Sequence, residues 1–397
     1  MRKLINDIKI VKTAKIEHNR WCFMSFSGHY SDSPKYLSIK LHELNPDIEI
    51  VWCVNSQFKN LLPDYVTYAE YGSKDAKKYI ASSGVIIDNV YGGRAFNVYG
   101  TTLLNKLKAK FLKLSFYKKE QKIYTTWHGT PLKKMGRDQI GNDVTGFECC
   151  NIKMILGNQF TLNIMKRLSF EKIPMRVLGT PRNDLLLQSD INALKKHLKL
   201  PENKKVLLFA PTFRNDGKGV DGKNVNRSGL DQLNMIDFDR LFNSLHDKFG
   251  GNWVIVCRFH YHVAEMVDWE DLNQKYNGRI INGNLNDDMA EYLACTDVLM
   301  TDASSCMFDY IIINKPCFLF FPDIDNYEKK ERGFYLGTDQ LPFSLATNFE
   351  ELINAISSFD NEAYLKELND LKDKLGYYED GKSSERILEW IKKDAGY

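Results

Sequence analysis

Short apolar runs alternate along the chain with longer stretches in which apolar residues recur every three or four positions. Residues 21–26 (WCFMSF), 48–54 (IEIVWCV), 84–88 (GVIID) and 122–127 (KIYTTW) are the runs of the first half. The first ends in Ser27-Gly28 and is followed by a helical stretch through Tyr36, Ile39 and Leu44. Near-continuous apolar runs separated by helices predict strands of a parallel sheet covered on both faces. A second series follows at 206–210 (VLLFA), 253–258 (WVIVCR), 279–281, 298–301 (VLMT) and 317–321 (CFLFF), with helices expected at 237–249 and 287–294. In the final helical stretch, 384–393 (SERILEWIKK), Ile387, Leu388 and Ile391 share one face.

The expected architecture is therefore two α/β domains with a cleft between them. The N-terminal domain covers residues 1–186 and a Lys-rich linker helix covers 187–204. The C-terminal domain covers 205–397, its last helix left to pack back on the N-terminal domain. Ligands of open parallel sheets bind beyond the carboxyl ends of the strands, which directs attention to those loops.

The length of 397 residues suits two such domains. With 54 Lys+Arg against 51 Asp+Glu, the chain is close to neutral and gives no general reason to expect nucleic acid. Eight cysteines form no CxxC pair, so zinc ribbons and thioredoxin-type sites are not indicated, and buried free thiols in a reducing compartment are expected. The N-terminus is basic without an apolar signal core, and no stretch reaches the roughly 18 apolar residues of a membrane span.

Polar residues gather where the strands end. After 122–127 come His128-Gly129-Thr130-Pro131-Leu132-Lys133-Lys134, a histidine at a strand's carboxyl end with two lysines beyond. After 206–210 come Thr212 and Arg214, and after 253–257 come Arg258, His260 and His262. After 298–301 come Asp302, Ser304, Ser305 and Asp309, the serines preceding a helical pattern. Any single loop is accounted for by turn formation or N-capping. Together, cations, N–H groups at a helix start and a proton acceptor suit an activated phosphate ester. GxxxxGK(S/T), GxSxG and HExxH are all missing, which removes the P-loop, common hydrolase and zinc-protease readings. Asp323-Ile324-Asp325 is a DxD triplet, but no neighbouring cluster supports a metal site, so no cofactor is required and a divalent metal is not predicted.

The segments TWHGTPLKKMGRD, LGTPRNDLL, VLLFAPTFRND, TDASSCMFDYIIINKPCFLFFPDIDNY and RGFY occur in this order, after an early GHYSDSPKYL. Together they resemble the CDP-glycerol glycerophosphotransferase family of bacterial teichoic acid and capsule synthesis. The resemblance implies two Rossmann-like domains in a B-type glycosyltransferase arrangement with an interdomain cleft. It implies transfer of a polyol phosphate from CDP-glycerol or CDP-ribitol to a hydroxyl of an undecaprenyl-diphosphate-linked saccharide or growing polymer, releasing CMP. His128 is then the candidate base and His260 the candidate stabiliser of the pyrophosphate, the two roles being exchangeable. Arg258, Ser304, Ser305, Asp302, Thr212, Arg214 and Asp309 fall on the donor side, and Gly28, Tyr30, Asp32, Lys133 and Lys134 on the acceptor side. Tyr261 and Ala303 depart from the family pattern, which bears on the shape of the donor pocket.

Residues 103–122 carry seven lysines and one acid, Glu120. At helical spacing Leu104, Leu107 and Phe111 form a stripe, with Lys106, Lys110 and Lys113 largely away from it. Such a segment fits an anionic membrane surface, and a lipid-linked acceptor implies peripheral attachment to the inner face of the plasma membrane. The alternatives are a nucleotide-sugar glycosyltransferase of the same architecture and a non-catalytic membrane scaffold. Two α/β domains occupy nearly the whole length, which leans the reading towards a primase over a polymerase.

Overall fold

The computed structural model describes residues 2–90, 118–139, 152–170, 173–212, 228–325, 327 and 333–396. The chain forms two compact units. The first comprises Met1–His128, Phe147–Asp184 and Tyr378–Tyr397, and the second Gly129–Gly146 and Leu185–Tyr377.

Among the described residues, the first unit is built on a seven-stranded parallel sheet. Its strands are β1 (Glu17–Phe23), β2 (Glu49–Val54), β3 (Val66–Glu70), β4 (Ser83–Asp88), β5 (Lys122–Thr125), β6 (Ile152–Leu156) and β7 (Met175–Val177). The order is β3-β2-β1-β4-β5-β6-β7. The period-two geometry of a strand divides each apolar run between two cores. Trp21, Phe23, Ile50, Trp52, Val85 and Ile87 face one side, with Leu37 and Leu41 of the helix Asp32–Leu44 and Ile387, Leu388 and Ile391 of the C-terminal helix Ser383–Ala395. Cys22, Val51, Cys53 and Ile86 face the other, with Ala76 and Ile80 of the helix Lys74–Ser82 and Val11 of the helix Arg2–Thr13. A buried pair, Lys77 Nζ to Asp7 Oδ1 at 2.7 Å, ties those last two helices together.

Among the described residues, the second unit holds a six-stranded sheet of β8 (Lys205–Ala210), β9 (Trp253–Cys257), β10 (Ile280–Asn282), β11 (Val298–Thr301), β12 (Cys317–Phe320) and β13 (Ser344–Ala346). These are ordered β10-β9-β8-β11-β12-β13, again with parallel neighbours. In each sheet the order reverses once, between β1 and β4 in the first and between β8 and β11 in the second. The crevice at such a reversal, beyond the strands' carboxyl ends, is where α/β sheets take ligands.

Several strands lie outside the expected set. β3, β6, β7 and β13 are short and carry polar residues among apolar ones, as in VTYAE and MRV, so no continuous apolar run marks them. The segment expected as a linker contains a helix, Ile191–His197, that belongs to the second unit. Its Lys195 is buried and donates to the carbonyls of Glu202 and Lys204. The C-terminal helix, which the sequence reading left to pack back on the N-terminal domain, is part of the first unit. Among the described residues, no helix is long and apolar enough to cross a membrane.

Candidate functional site

In the first unit, three loops meet where the strand order reverses: 24–31 after β1, the turn after β4, and 126–128 after β5. Asn89 is their common point. It is wholly buried, and its Oδ1 accepts the Phe26 N–H at 2.8 Å while its Nδ2 donates to Ser25 Oγ at 3.1 Å. Its carbonyl oxygen lies 3.1 Å from His128 Nδ1. A carbonyl only accepts, so Nδ1 carries the proton of the neutral imidazole and Nε2 is the basic nitrogen. His128 is half-buried, with the Trp127 ring centroid 4.1 Å away and that of Phe26 6.1 Å away.

A second layer fixes this loop. Arg182, in the turn after β7, donates to Asp32 Oδ1 at 2.7 Å and to the His128 carbonyl at 3.3 Å. Arg182 and Asp32 are both buried, and the ion pair offsets part of the cost of burying each charge. Asn183 Nδ2 beside it donates to Glu379 Oε1 at 3.3 Å, and Glu379 Oε2 also accepts the Thr180 N–H at 3.2 Å. Phe26, Asp32 and Trp127 have φ of 44°, 64° and 53°, a left-handed conformation uncommon in residues other than glycine. Such departures concentrate at functional sites, held there by their surroundings.

Gly28 has φ 94°, and a Cβ there would lie 2.8 Å from both Asn55 Oδ1 and Tyr71 Cβ, so glycine is required by space and conformation alike. Tyr30 was expected to meet the acceptor. Its ring is instead buried edge-on against Trp52 at 4.9 Å, in the core between the sheet and the helix Asp32–Leu44.

In the second unit the switch point is closed by Asp302, after β11. Its Oδ1 accepts the Thr212 N–H at 2.8 Å and its Oδ2 the Gln232 side chain at 3.3 Å, joining the loop after β8 to the helix Ser228–Asn234. Gln232 Oε1 is buried with no hydrogen-bond partner among the described residues. Ser304 and Ser305 are half-buried before the short helix Cys306–Tyr310. Ser304 Oγ accepts the Cys306 N–H at 3.4 Å, while Ser305, at the N-cap position, makes no side-chain capping bond. Asp309 is buried on the same helix.

His260 is exposed, and its carbonyl receives the N–H groups of Val263 and Ala264, opening the helix Tyr261–Ala264. Arg258 was expected on the donor's phosphates, but its guanidinium is spent inside the protein. It donates to the carbonyls of Gly283 and Asp287 at 2.7 Å each and to that of Asn286, and lies 5.3 Å over the Tyr292 ring. Burial pulls its pKa below the ordinary value. Its effect is to hold the loop after β10. Asn284 of that loop clamps Phe259 through both its main-chain N–H and its carbonyl.

Lys133 and Lys134, placed by sequence on the acceptor side, belong to the second unit. Lys133 bridges Phe334, and Lys134 N–H donates to the Gly333 carbonyl at 2.8 Å. Tyr335 closes the same turn, its hydroxyl donating to Asp138 Oδ2 at 2.7 Å and accepting the Met135 N–H at 3.1 Å. Arg214 and the segment with Leu104, Lys106, Leu107, Lys110, Phe111 and Lys113 lie outside the described residues. Among those described, no three His, Cys, Asp or Glu side chains are grouped to hold a metal ion.

Three residues here escaped sequence reasoning: Asn89, Asn284 and Arg182. Only Arg182 had a signal, its place in LGTPRNDLL. Asn89 acts through its carbonyl and its side-chain amide, and Asn284 through a side-chain amide bonded to the Phe259 main chain, contacts that no motif displays.

Comparisons with known proteins place the chain as a whole. A teichoic acid poly(glycerol phosphate) polymerase of Staphylococcus epidermidis is 31% identical over 395 residues, covering 94% of this chain and 50% of its own. This chain thus spans about half the length of that relative. A teichoic acid glycerol-phosphate transferase of Staphylococcus aureus is 28% identical over 395 residues, covering 94% of this chain and 92% of its own. Among solved structures, the wall teichoic acid polymerase TagF, in a histidine-to-alanine variant, superposes with a TM-score of 0.80 at 26% identity, covering 100% of this chain and 94% of that one. The family model described as CDP-glycerol:poly(glycerophosphate) glycerophosphotransferase matches residues 6–393, and the chain belongs to that family.

Proposed function

We propose that this chain transfers glycerol phosphate from CDP-glycerol to a hydroxyl of a membrane-lipid-linked saccharide or growing teichoic acid chain, releasing CMP. The observation that carries the reading is the orientation of His128 by the Asn89 carbonyl, which makes Nε2 the proton acceptor at the switch point of the first sheet. In a glycerophosphotransferase, that nitrogen takes the proton of the acceptor hydroxyl as its oxygen attacks the phosphorus bearing glycerol. The pyrophosphate bond to the departing CMP breaks in the same step. Such chemistry depends on positioning and charge stabilisation.

On this reading His260, Ser304, Ser305 and Thr212 engage the donor's phosphates, and Asp302 and Arg258 hold the loops that present them. The family's description and the two relatives named above support glycerol as the donor's polyol. The relatives bear the names of a polymerase and a transferase alike, so one unit and many are both compatible with them. Attachment to an anionic membrane surface through residues 103–122 is part of the same proposal, supported by their lysines and apolar stripe.

The test is incubation with CDP-glycerol, or CDP-ribitol, and a lipid-linked saccharide acceptor, following CMP release and counting added units by mass spectrometry. CMP release and acceptor mass increments of glycerol phosphate are expected. His128→Ala is expected to lose at least a hundredfold in rate, the lower range of general-base contributions of about 10²–10⁴. Full activity in a folded His128→Ala protein would overturn the assignment.

A further inference from the structure

Phe26 stands in the first unit three residues beyond the end of β1, at the reversal of strand order. It is 39% exposed, and its ring centroid lies 6.1 Å from that of His128, tilted by 58°. Its φ of 44° is a conformation in which a bulky side chain is strained and glycine is not. Gly28, two residues on, has the residue type such a turn favours. The strained Phe26 is held by its N–H bond to Asn89, the same buried residue whose carbonyl orients His128. One asparagine thus sets the position of an exposed aromatic face and of the candidate base together.

We propose that Phe26 is the platform for a ring-shaped acceptor, a pyranose whose hydroxyl is presented to His128. This rests on the reading of His128 as the base. An aromatic ring attracts the weakly positive C–H face of a sugar ring, and its own electron-rich face is ill suited to an anionic phosphate. An open-chain polyol phosphate has no comparable flat apolar face. Phe26 therefore discriminates between acceptors by the shape and charge of their terminal unit.

The experiment compares wild type, Phe26→Gly and Phe26→Trp in transfer from CDP-glycerol to two acceptors on the same short lipid. One acceptor ends in an N-acetylhexosamine and the other in glycerol phosphate. The readout is the ratio of kcat/KM for the two. Phe26→Gly removes the ring and relieves the backbone, so its thermal midpoint is expected at or above that of wild type. Its ratio is expected to fall by about 2- to 13-fold, the range of an aromatic contact, while Phe26→Trp keeps the wild-type ratio.

An unchanged ratio in folded Phe26→Gly overturns the proposal. So does loss of transfer to both acceptors in that variant, or a wild type that uses only the glycerol phosphate acceptor. A wild type that transfers to neither acceptor fails at the proposed function itself, and the inference falls with it.

Discussion

At the residue scale, the candidate base is defined by partners that are not themselves reactive. The Asn89 carbonyl selects the tautomer of His128, and Arg182 joins the His128 carbonyl to the Asp32 carboxylate. Arg182 and Asp32 are charged and buried, so removing one takes the ion pair from the other. Arg182→Ala is expected to cost about 3–5 kcal/mol of stability. The double variant Asp32→Ala/Arg182→Ala should cost clearly less than the sum of the two single changes. Urea titrations of the four proteins measure this, and strictly additive losses would show that the pair is not coupled. The histidine itself was legible in HGTP after an apolar run. Its tautomer was not, because that depends on a carbonyl 39 positions away in sequence. Tyr30 and Arg258 show the opposite case. Their residue types suit a substrate, but the fold turns one into the core and the other onto loop carbonyls.

At the scale of elements, the C-terminal helix Ser383–Ala395 is held on the first unit by charge as well as by its apolar face. The Asp184 carboxylate accepts the Ser383 and Ser384 N–H groups at 2.8 and 2.7 Å, an N-terminal cap from a distant turn. Arg386 donates to the Leu178 carbonyl and, at 2.8 Å to each oxygen, to Asp380. Asp394 accepts from Lys153 and from the Tyr124 hydroxyl.

The bond from Arg386 holds the Asp380 carboxyl below its ordinary value. For Asp394, burial acts upward, but the bonds from Lys153 and Tyr124 outweigh it and the net shift is downward. A depressed carboxylate contributes stability above its unfolded pKa, and that contribution is lost as pH falls through the folded value. The docking should therefore hold through neutral pH and weaken as pH drops below about 4. Trp390, 5.4 Å from Tyr124, reports it by fluorescence, and exchange of the helix amides reports it directly. Equal protection of this helix at pH 7 and pH 3 would count against the account. The apolar stripe of Ile387, Leu388 and Ile391 was readable in sequence, and the helix was left to pack back on the N-terminal domain, but its seat in the core of Trp21, Trp52 and Tyr124 was not readable. A stripe states that a face is buried and not what buries it.

At the scale of the whole molecule, the cysteines follow the logic of the two sheets. Cys22, Cys53, Cys257, Cys295, Cys306 and Cys317 are free and buried. Burial pushes Cys295 up to about 12 and Cys306 up to about 11, and Cys257 still higher. Thiolate, the reactive form, is then scarce at pH 8. Titration of the native protein with an aromatic disulfide reagent should label at most two of the eight thiols promptly, those at 149 and 150, which lie outside the described residues. All eight should react after denaturation. Prompt reaction of three or more in the native state would contradict the burial.

By itself the sequence determined the kind of structure: parallel sheets covered on both faces, two of them, with polar residues concentrated where the strands end. Those features are local, since periodicity and turn residues are set over a few positions by the geometry of strand and helix. It also carried the family, through ordered motifs spread along most of the chain. Tertiary structure decided which strand ends are neighbours, and hence that Phe26, Asn89 and His128 form one constellation while Thr212 and Asp302 form another. It likewise decided that Lys133 and Lys134 fold with the second unit. Strand order is fixed by packing between segments far apart in sequence, and a side chain's role by whether that packing leaves it facing solvent, a carbonyl or the core.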